Sequence, residues 1–470
     1  MAQEKPIKKK SRVPHTYVVL FLVVIVVALA SYIIPAGQFD RVKDEHTGRN
    51  VVDPQSFRQV DSNPTTFFRL FTSVPKGMKE AQAIIFFIFI VGGSFQIITA
   101  TGAIDAGIGR IIKKIQGQEK IIIPVFLALF SLGGATFGMA EEAIVFVPIG
   151  IALARALGFD AIVGMAMVTL GAACGFTSGA MNPFTVGVAQ GIAELPLFSG
   201  LVFRIVLLII MLAVTSLFLL RYAHKVQQDP TQSFVYELEL AEKDKAINLD
   251  HLPEFKTQHL LVLLTVAVGL IAIIIGVFKA GWYITEIAAT FLIMGIIGGF
   301  LGKFGPSTIA EKFVEGARGI TFGALVVGIA RTILVVMEDA FIIDSIINGL
   351  AGMIQTLPGA ISALGMYVVQ VVINFFVPSG SGQAAATMPI MAPLSDVIGL
   401  NRQVAVLAYQ LGDGFTNSII PTSGVLMASL SIANINYDQW TRFLWPLMSL
   451  WLGIGAVAML IAAAINYGPF

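Results

Sequence analysis

The sequence predicts an all-α polytopic membrane protein made of two inverted-topology repeats, with about nine crossing helices plus two re-entrant hairpins. Three observations carry this prediction. Of 470 residues, 56% are hydrophobic and only 13% charged, and the mean hydropathy is +0.82, far from the usage of soluble domains. Charged residues are segregated, 31 of the 59 falling within 1–12, 38–80 and 221–256. Finally, landmarks of the first half recur in the second at an offset near 240 residues. At about 20 apolar residues per crossing of a roughly 30 Å hydrocarbon core, the length has room for around ten helices plus loops.

The basic tail 1–14 precedes the first apolar run, Val18 to Ile34, which ends in Pro-Ala-Gly-Gln without a small-residue cleavage motif and reads as an anchor. Further crossings are expected near 81–100, 160–194, 200–221, 259–279, 283–301, 319–337, 403–433 and 443–466. The charged stretch 37–79 reads as a long loop. Residues 102–116, with Arg110, Lys113 and Lys114, read as an interfacial helix. Segments 121–158 and 359–398 are apolar at both ends and polar in the middle, as re-entrant hairpins are. The polar stretch 223–256 reads as a cytoplasmic linker, so the repeats cover 15–222 and 257–470. With the amino terminus in the cytoplasm, nine crossings place 19 of the 30 Lys and Arg residues inside, in a bacterial cytoplasmic membrane.

The repeat is specific in its register. Gly77 and Asp105 match Gly316 and Asp344 at 239, and Pro148, Gly158 and Gly171 match Pro389, Gly399 and Gly412 at 241. Asn182-Pro183 then faces Pro421-Thr422-Ser423, and Ala36-Gly37-Gln38-Phe39 resembles Ala280-Gly281-Trp282-Tyr283. Segment 283–301 has no apolar counterpart in the first half. One extra crossing makes the two cores enter from opposite faces, the construction of secondary transporters.

Four Gly-rich polar elements fall at membrane depth, two per repeat. They are the hairpin tips 133–143 and 376–388, in segments 121–158 and 359–398, and breaks at 175–183 and 413–424, in the broken helices 160–194 and 403–433. Gly133, Gly138, Gly175, Pro183, Pro378, Gly380, Gly382, Gly414, Pro421 and Gly424 are the expected hinges. Such breaks free backbone carbonyls and point half-helix amino ends inward, so one site can hold a cation and an anionic group. Any single cluster more often only permits close helix packing; four at matched positions favour a site.

Glu141, Glu142 and Asp413 lie in runs without basic neighbours, and intramembrane acids usually face a cavity and bind a cation, a proton or a cationic group. The bland alternative is a buried pair with Arg331, Arg204 or backbone donors that fixes domain packing. Arg331, well inside a crossing, suits either a substrate carboxylate or one of these acids. Around the acids, Asn182, Ser379, Ser381, Gln383, Asn417, Thr422 and Ser423 are expected to bind substrate. Thr177, Ser178, Asn182, Ser379, Thr416 and Ser418 offer neutral oxygens to a coupling ion, sodium being the metal considered. Several of these are expected to be spent on helix back-bonding. No cofactor is expected, only coupling to sodium or protons.

Other chemistries find little support. The single Cys174 excludes an intramolecular disulfide, and no Gly-x4-Gly-Lys-Ser/Thr or His-Glu-x-x-His run occurs. No second intramembrane Asp is placed for an aspartyl dyad with Asp413. A net charge of +1 gives no global field for nucleic acid, so the partners expected are a small solute and the bilayer. A channel would also use Gly-rich re-entrant loops, but the two unlike tips argue against a symmetric filter.

The stretches Phe130-SLGGATFGMAEEAIVFVPI-Gly150, Asn374-FFVPSGSGQAAATMPIMAPLSDVIGLNRQ-Val404 and Leu407-AYQLGDGFTNSIIPTSGVLMASL-Ser431 closely resemble the YfcC-type branch of the C4-dicarboxylate anaerobic carrier-like (DcuC-like) family. The resemblance extends from Ile34-PAGQFD to the last helix. It implies membership of the ion transporter superfamily, with scaffold and transport domains, a homodimer and elevator-type alternating access. The family name implies C4-dicarboxylates, whereas the YfcC-type branch is similar to arginine/ornithine exchangers. The expected function is therefore secondary active transport of a small charged metabolite, an amino acid first and a sodium- or proton-coupled dicarboxylate second.

Overall fold

A computed structural model describes residues 16–470 except 44–49, 54, 105, 108–109, 111–118, 183, 243–254, 281, 283, 356, 358 and 470. The expectations for tail 1–14, for Asp105 and Pro183, for most of the interfacial segment 102–116 and for much of the linker lie outside the described residues.

The described chain is helical nearly throughout. After α1 (Thr16–Ala30), two small antiparallel pairs form in the first charged segment: β1 (Gly37–Gln38) with β4 (Arg58–Gln59), and β2 (Arg41–Lys43) with β3 (Asn50–Val52). Asp344 pins this segment to the second half, its carboxylate accepting from Phe39 N–H at 2.9 Å and from Arg41 Nη2 at 2.8 Å.

The stretch expected to be loop up to residue 79 instead ends in α2 (Phe67–Glu80), which runs into α3 (Gln82–Ala100). Charges lower its mean hydropathy, yet they cluster on one side of the helix, next to the buried Ser73 and Gly77 that pack on its neighbour. Its counterpart is the pair α12 (Pro306–Gly319) and α13 (Thr321–Asp339), bent by 44°. Packing is reciprocal. A Cβ on Gly77 of α2 would lie 2.6 Å from Thr332 Oγ1 of α13, and one on Gly316 of α12 would lie 2.9 Å from Gly93 Cα of α3. Both residues of each contact are thus displaced by the offset of 239.

The first hairpin segment forms α4 (Ile122–Phe137), a 3-10 turn (Glu141–Phe146) and α5 (Val147–Ala156). The next segment is broken into α6 (Ala161–Ser178) and α7 (Val186–Ile192), followed by the long α8 (Leu201–Gln228) and the linker helix α9 (Tyr236–Glu242). In the second half come α10 (Thr257–Ala280) and α11 (Ile284–Leu301), and after α13 a short α14 (Ile343–Gln355). The second hairpin segment is α15 (Gly359–Phe376) and α16 (Gly380–Val397); the second broken one is α17 (Arg402–Thr416) and α18 (Gly424–Ala433), before the terminal α19 (Tyr437–Ala464). Among the described residues α3, α6, α8 and α19 are each long and apolar enough to cross a membrane, and the α12–α13 pair adds a fifth if it is one span. At 28 residues, α8 and α19 each extend about 42 Å.

Close approach of α4 to α6 rests on glycine. A Cβ on Gly175 would run into the Ser131 carbonyl, and one on Gly134 into that of Ala172. Gly171 packs likewise on Phe130, as Gly412 of α17 packs on Gln370 of α15. Small residues let helices meet backbone to backbone, where packing rather than hydrophobicity drives association in lipid.

Asp160 caps α6 through Val163 N–H at 2.9 Å, and its other oxygen accepts from Tyr222 and Ser233 hydroxyls, both at 2.6 Å. Glu239 of α9 adds an ion pair with Arg155 Nε at 2.9 Å. The beginning of the linker is thereby fastened to the ends of α5 and α6. Asp160→Ala should lower the thermal unfolding midpoint of detergent-purified protein, each stranded buried donor costing about 1–3 kcal/mol. Asp160→Asn should recover part of that loss, and an unchanged midpoint in the alanine variant would remove this role.

Candidate functional site

A cavity of about 380 Å³ lies where the breaks meet the α2–α3 junction and α13. Each break has a local cause. Gly138 takes a left-handed conformation (φ 71°) and stops α4, and Gly179 (φ 55°) stops α6. A Cβ at Gly138 would also meet Asn182 Oδ1 at 2.5 Å. Beyond α6, Met181 N–H donates to the Ala135 carbonyl at 2.8 Å, tying the break to the end of α4. Ser379 caps α16, its hydroxyl accepting from Gly382 N–H at 3.4 Å, and Ser423 caps α18 by accepting from Leu426 N–H at 3.4 Å. Both amino ends reach the cavity wall, bringing partial positive charge with them.

The expected substrate residues separate into two groups. Glu141, Glu142, Ser379, Ser381, Asn417, Thr422 and Ser423 line the cavity, with the hinges Gly138, Pro378, Gly380, Gly414 and Gly424. Behind the wall, Gln383 donates to Gln370 O at 2.9 Å and to its Oε1 at 2.7 Å. Asn182 is buried, its Oδ1 accepting from Phe184 and Thr185 N–H groups at 2.9 and 3.3 Å. Asp413 is also buried, with Oδ1 accepting from Asn417 Nδ2 at 3.3 Å and Oδ2 without a partner among the described residues. Gly133, Gly175, Gly382 and Pro421 stand outside the wall as well.

Of the expected ion ligands, Ser379 and Ser418 are at the cavity. Ser178 donates back to Gly175 O at 2.8 Å and Thr416 to Gly412 O at 2.7 Å, and the Thr416 oxygen also accepts from Asn374 Nδ2 at 2.7 Å, so both hydroxyls are engaged within the protein. Thr177 Oγ1 is buried without a partner among the described residues, and Gly414 packs against it, so that a Cβ there would lie 2.5 Å from this oxygen. Thr177 Oγ1 and Asp413 Oδ2 are therefore two acceptors with unused capacity near the crossing of α6 and α17.

The acids stand alone. Among the described residues neither Glu141 nor Glu142 is in an ion pair, and a Glu142 oxygen accepts from Ala140 N–H at 3.1 Å. The two arginines weighed as their partners are elsewhere. Arg331 Nε donates to Glu80 Oε2 at 2.9 Å, and buried Arg204 reaches the Tyr467 hydroxyl at 3.4 Å. Glu80 and Arg331 themselves line the cavity. Sequence reading missed Glu80 because it closes a charged stretch; its position one residue before the apolar run 81–100 was the available signal. Trp440 was missed too: it lines the wall and donates from Nε1 to Ser418 O at 2.9 Å.

The family model of the C4-dicarboxylate anaerobic carrier matches residues 13–464. A protein of Escherichia coli (strain K12) named "Putative basic amino acid antiporter YfcC" is 37% identical, the match covering 99% of each chain. A Haemophilus influenzae protein described as uncharacterized is 28% identical over 97% of this chain and 98% of its own. Among solved structures, Neisseria gonorrhoeae MtrF, from a class of antimetabolite efflux pumps, aligns over 98% of both chains with 16% identity and a TM-score of 0.45.

Proposed function

Because the chain belongs to the C4-dicarboxylate anaerobic carrier family of membrane transporters, we propose that it is a secondary active antiporter of basic amino acids, such as arginine against ornithine. The observation that carries this reading is the pair Glu141 and Glu142 on the cavity wall with no ion-pair partner among the described residues, together with the amino ends of α16 and α18 at Ser379 and Ser423. A cationic side chain compensates the acids, and the positive ends of the helices contribute to holding the α-carboxylate. The name of the Escherichia coli relative points to the same substrate class.

The reciprocal glycine contacts at the 239 offset support two inverted repeats, and the four breaks around one cavity support alternating access of the elevator type. The homodimer, the cytoplasmic amino terminus and the cytoplasmic membrane are part of the same proposal. Thr177 and Asp413 are the acceptors offered to a coupling sodium ion or proton where coupling occurs. A second reading, a sodium- or proton-coupled C4-dicarboxylate carrier, is favoured by Arg331 at the cavity and by the family's name.

Counterflow in proteoliposomes separates the two. Labelled arginine should exchange against unlabelled arginine, ornithine or lysine with no requirement for a sodium gradient. Uptake confined to dicarboxylates under a sodium or proton gradient would replace the first reading by the second, and flux too fast for one-for-one exchange would replace both by a channel.

A further inference from the structure

We propose that Glu80 and Arg331 form the charge-selectivity pair of the cavity: Arg331 takes a carboxylate of the solute, and Glu80 sets how much negative charge the solute is allowed to carry. This rests on the cavity being the transport site and not on which solute crosses.

Two rungs join α2 to α13. Lys76 Nζ meets Asp339 Oδ2 at 2.6 Å, and one turn along α2 Glu80 meets Arg331, with the polarity reversed. Only the second rung lines the cavity. Its side chains retain 36% (Arg331) and 38% (Glu80) of their exposure, and exposed ion pairs stabilise by about 0–1 kcal/mol at most. Stability therefore does not explain an arginine placed eleven residues into an apolar helix, where the charge is costly. Geometry does. Arg331 spends Nε on Glu80, while Nη1 and Nη2 make no side-chain hydrogen bond among the described residues. A guanidinium edge left open suits a carboxylate bidentately.

Glu80 has the complementary effect. It offsets the arginine's charge, so a solute with one carboxylate is held while a second carboxylate meets Glu80, Glu141 and Glu142 across the same space. Of the described charged residues lining the cavity, three are acids and Arg331 is the base. Removing either member of the pair must then move selectivity in opposite directions.

The test is counterflow competition with arginine, agmatine (arginine without its carboxylate) and succinate. Arg331→Gln should raise the apparent KM for arginine by about tenfold or more and leave agmatine within about twofold, the loss expected for one charge-assisted carboxylate contact. Glu80→Gln should shift the other way, strengthening competition by succinate relative to agmatine. Lys76→Gln, which breaks the outer rung, should leave both ratios unchanged. If Arg331→Gln does not yield folded protein, Arg331→Lys keeps the charge without the fork and should still weaken arginine more than agmatine. Parallel losses of arginine and agmatine in both variants, or no change in either ratio, would overturn the assignment.

Should the wild-type protein carry a dicarboxylate instead of arginine, the proposed function fails while the pair is still scored. The carried diacid is then compared with its monoamide. Arg331→Gln must weaken the diacid and Glu80→Gln must strengthen it, and any other pattern sinks the pair as well.

Discussion

Replacing Glu141 and Glu142 together by glutamine should reduce arginine counterflow by about a hundredfold or more, while the protein still purifies as a folded, monodisperse species. The size follows from what the acids face. A truncated charge contact in a desolvated site costs about 2–5 kcal/mol, chiefly because the remaining charge is left uncompensated. Here the stranded charge is the solute's, since no protein cation pairs with either glutamate among the described residues. Folding is spared because the amide oxygen of a glutamine at 142 still accepts from Ala140 N–H. Single variants apportion the effect between the two positions. Full counterflow in the double variant, with wild-type competition by ornithine, would remove both residues from the site.

Gly175→Val is expected to destabilise the protein strongly, by overpacking a contact between two backbones. The Cβ of even an alanine would strike the Ser131 carbonyl and lie 2.6 Å from Ala135 N, and no rotation relieves a clash with backbone. Overpacking of this kind costs about 1–3 kcal/mol in soluble cores, occasionally more. In α4 and α6 it would also prise apart the elements that carry the Gly138 and Gly179 breaks. Thermal unfolding and size-exclusion profiles in detergent read the effect, with Gly175→Ala intermediate. Gly453→Ala is the matched control, since nothing lies within 4 Å of its Cβ, and it should leave the midpoint in place. A Gly175→Val protein with a wild-type midpoint would mean that the α4–α6 contact is not close-packed.

Glycine, proline and charge made the architecture legible. Gly138 and Gly179 terminate helices where a left-handed residue is required, and the polar tips stand out against apolar flanks. Amphipathic helices were harder to read. In α2 the charges that keep one face wet also lower the mean hydropathy, so a window tuned to crossings reads it as loop. At the site, Glu141 and Glu142 were legible because no base is near them in sequence. The partner of Arg331 was not, because Glu80 lies 251 positions away and meets it only through the packing of α2 on α13. Small polar residues were the least legible. Ser381 at the wall and Ser178 bonded to its own helix are the same residue type in similar Gly-rich surroundings, and only tertiary position separates them.

One residue of the cavity wall brings its own optical signal. An indole emits according to the polarity and hydrogen bonding around it, and Trp440 is fully buried, held by Ser418 O and bordering the space a solute would fill. The chain has only three other tryptophans, and Trp451 is fixed by Thr215 Oγ1 at 3.1 Å, away from the cavity. Solute entry should therefore shift or quench the intrinsic fluorescence of unlabelled protein, and the change should vanish in Trp440→Phe. Titrating that signal gives an equilibrium dissociation constant without a membrane, a gradient or a radiolabel, so solutes can be ranked by occupancy before any of them is asked to cross.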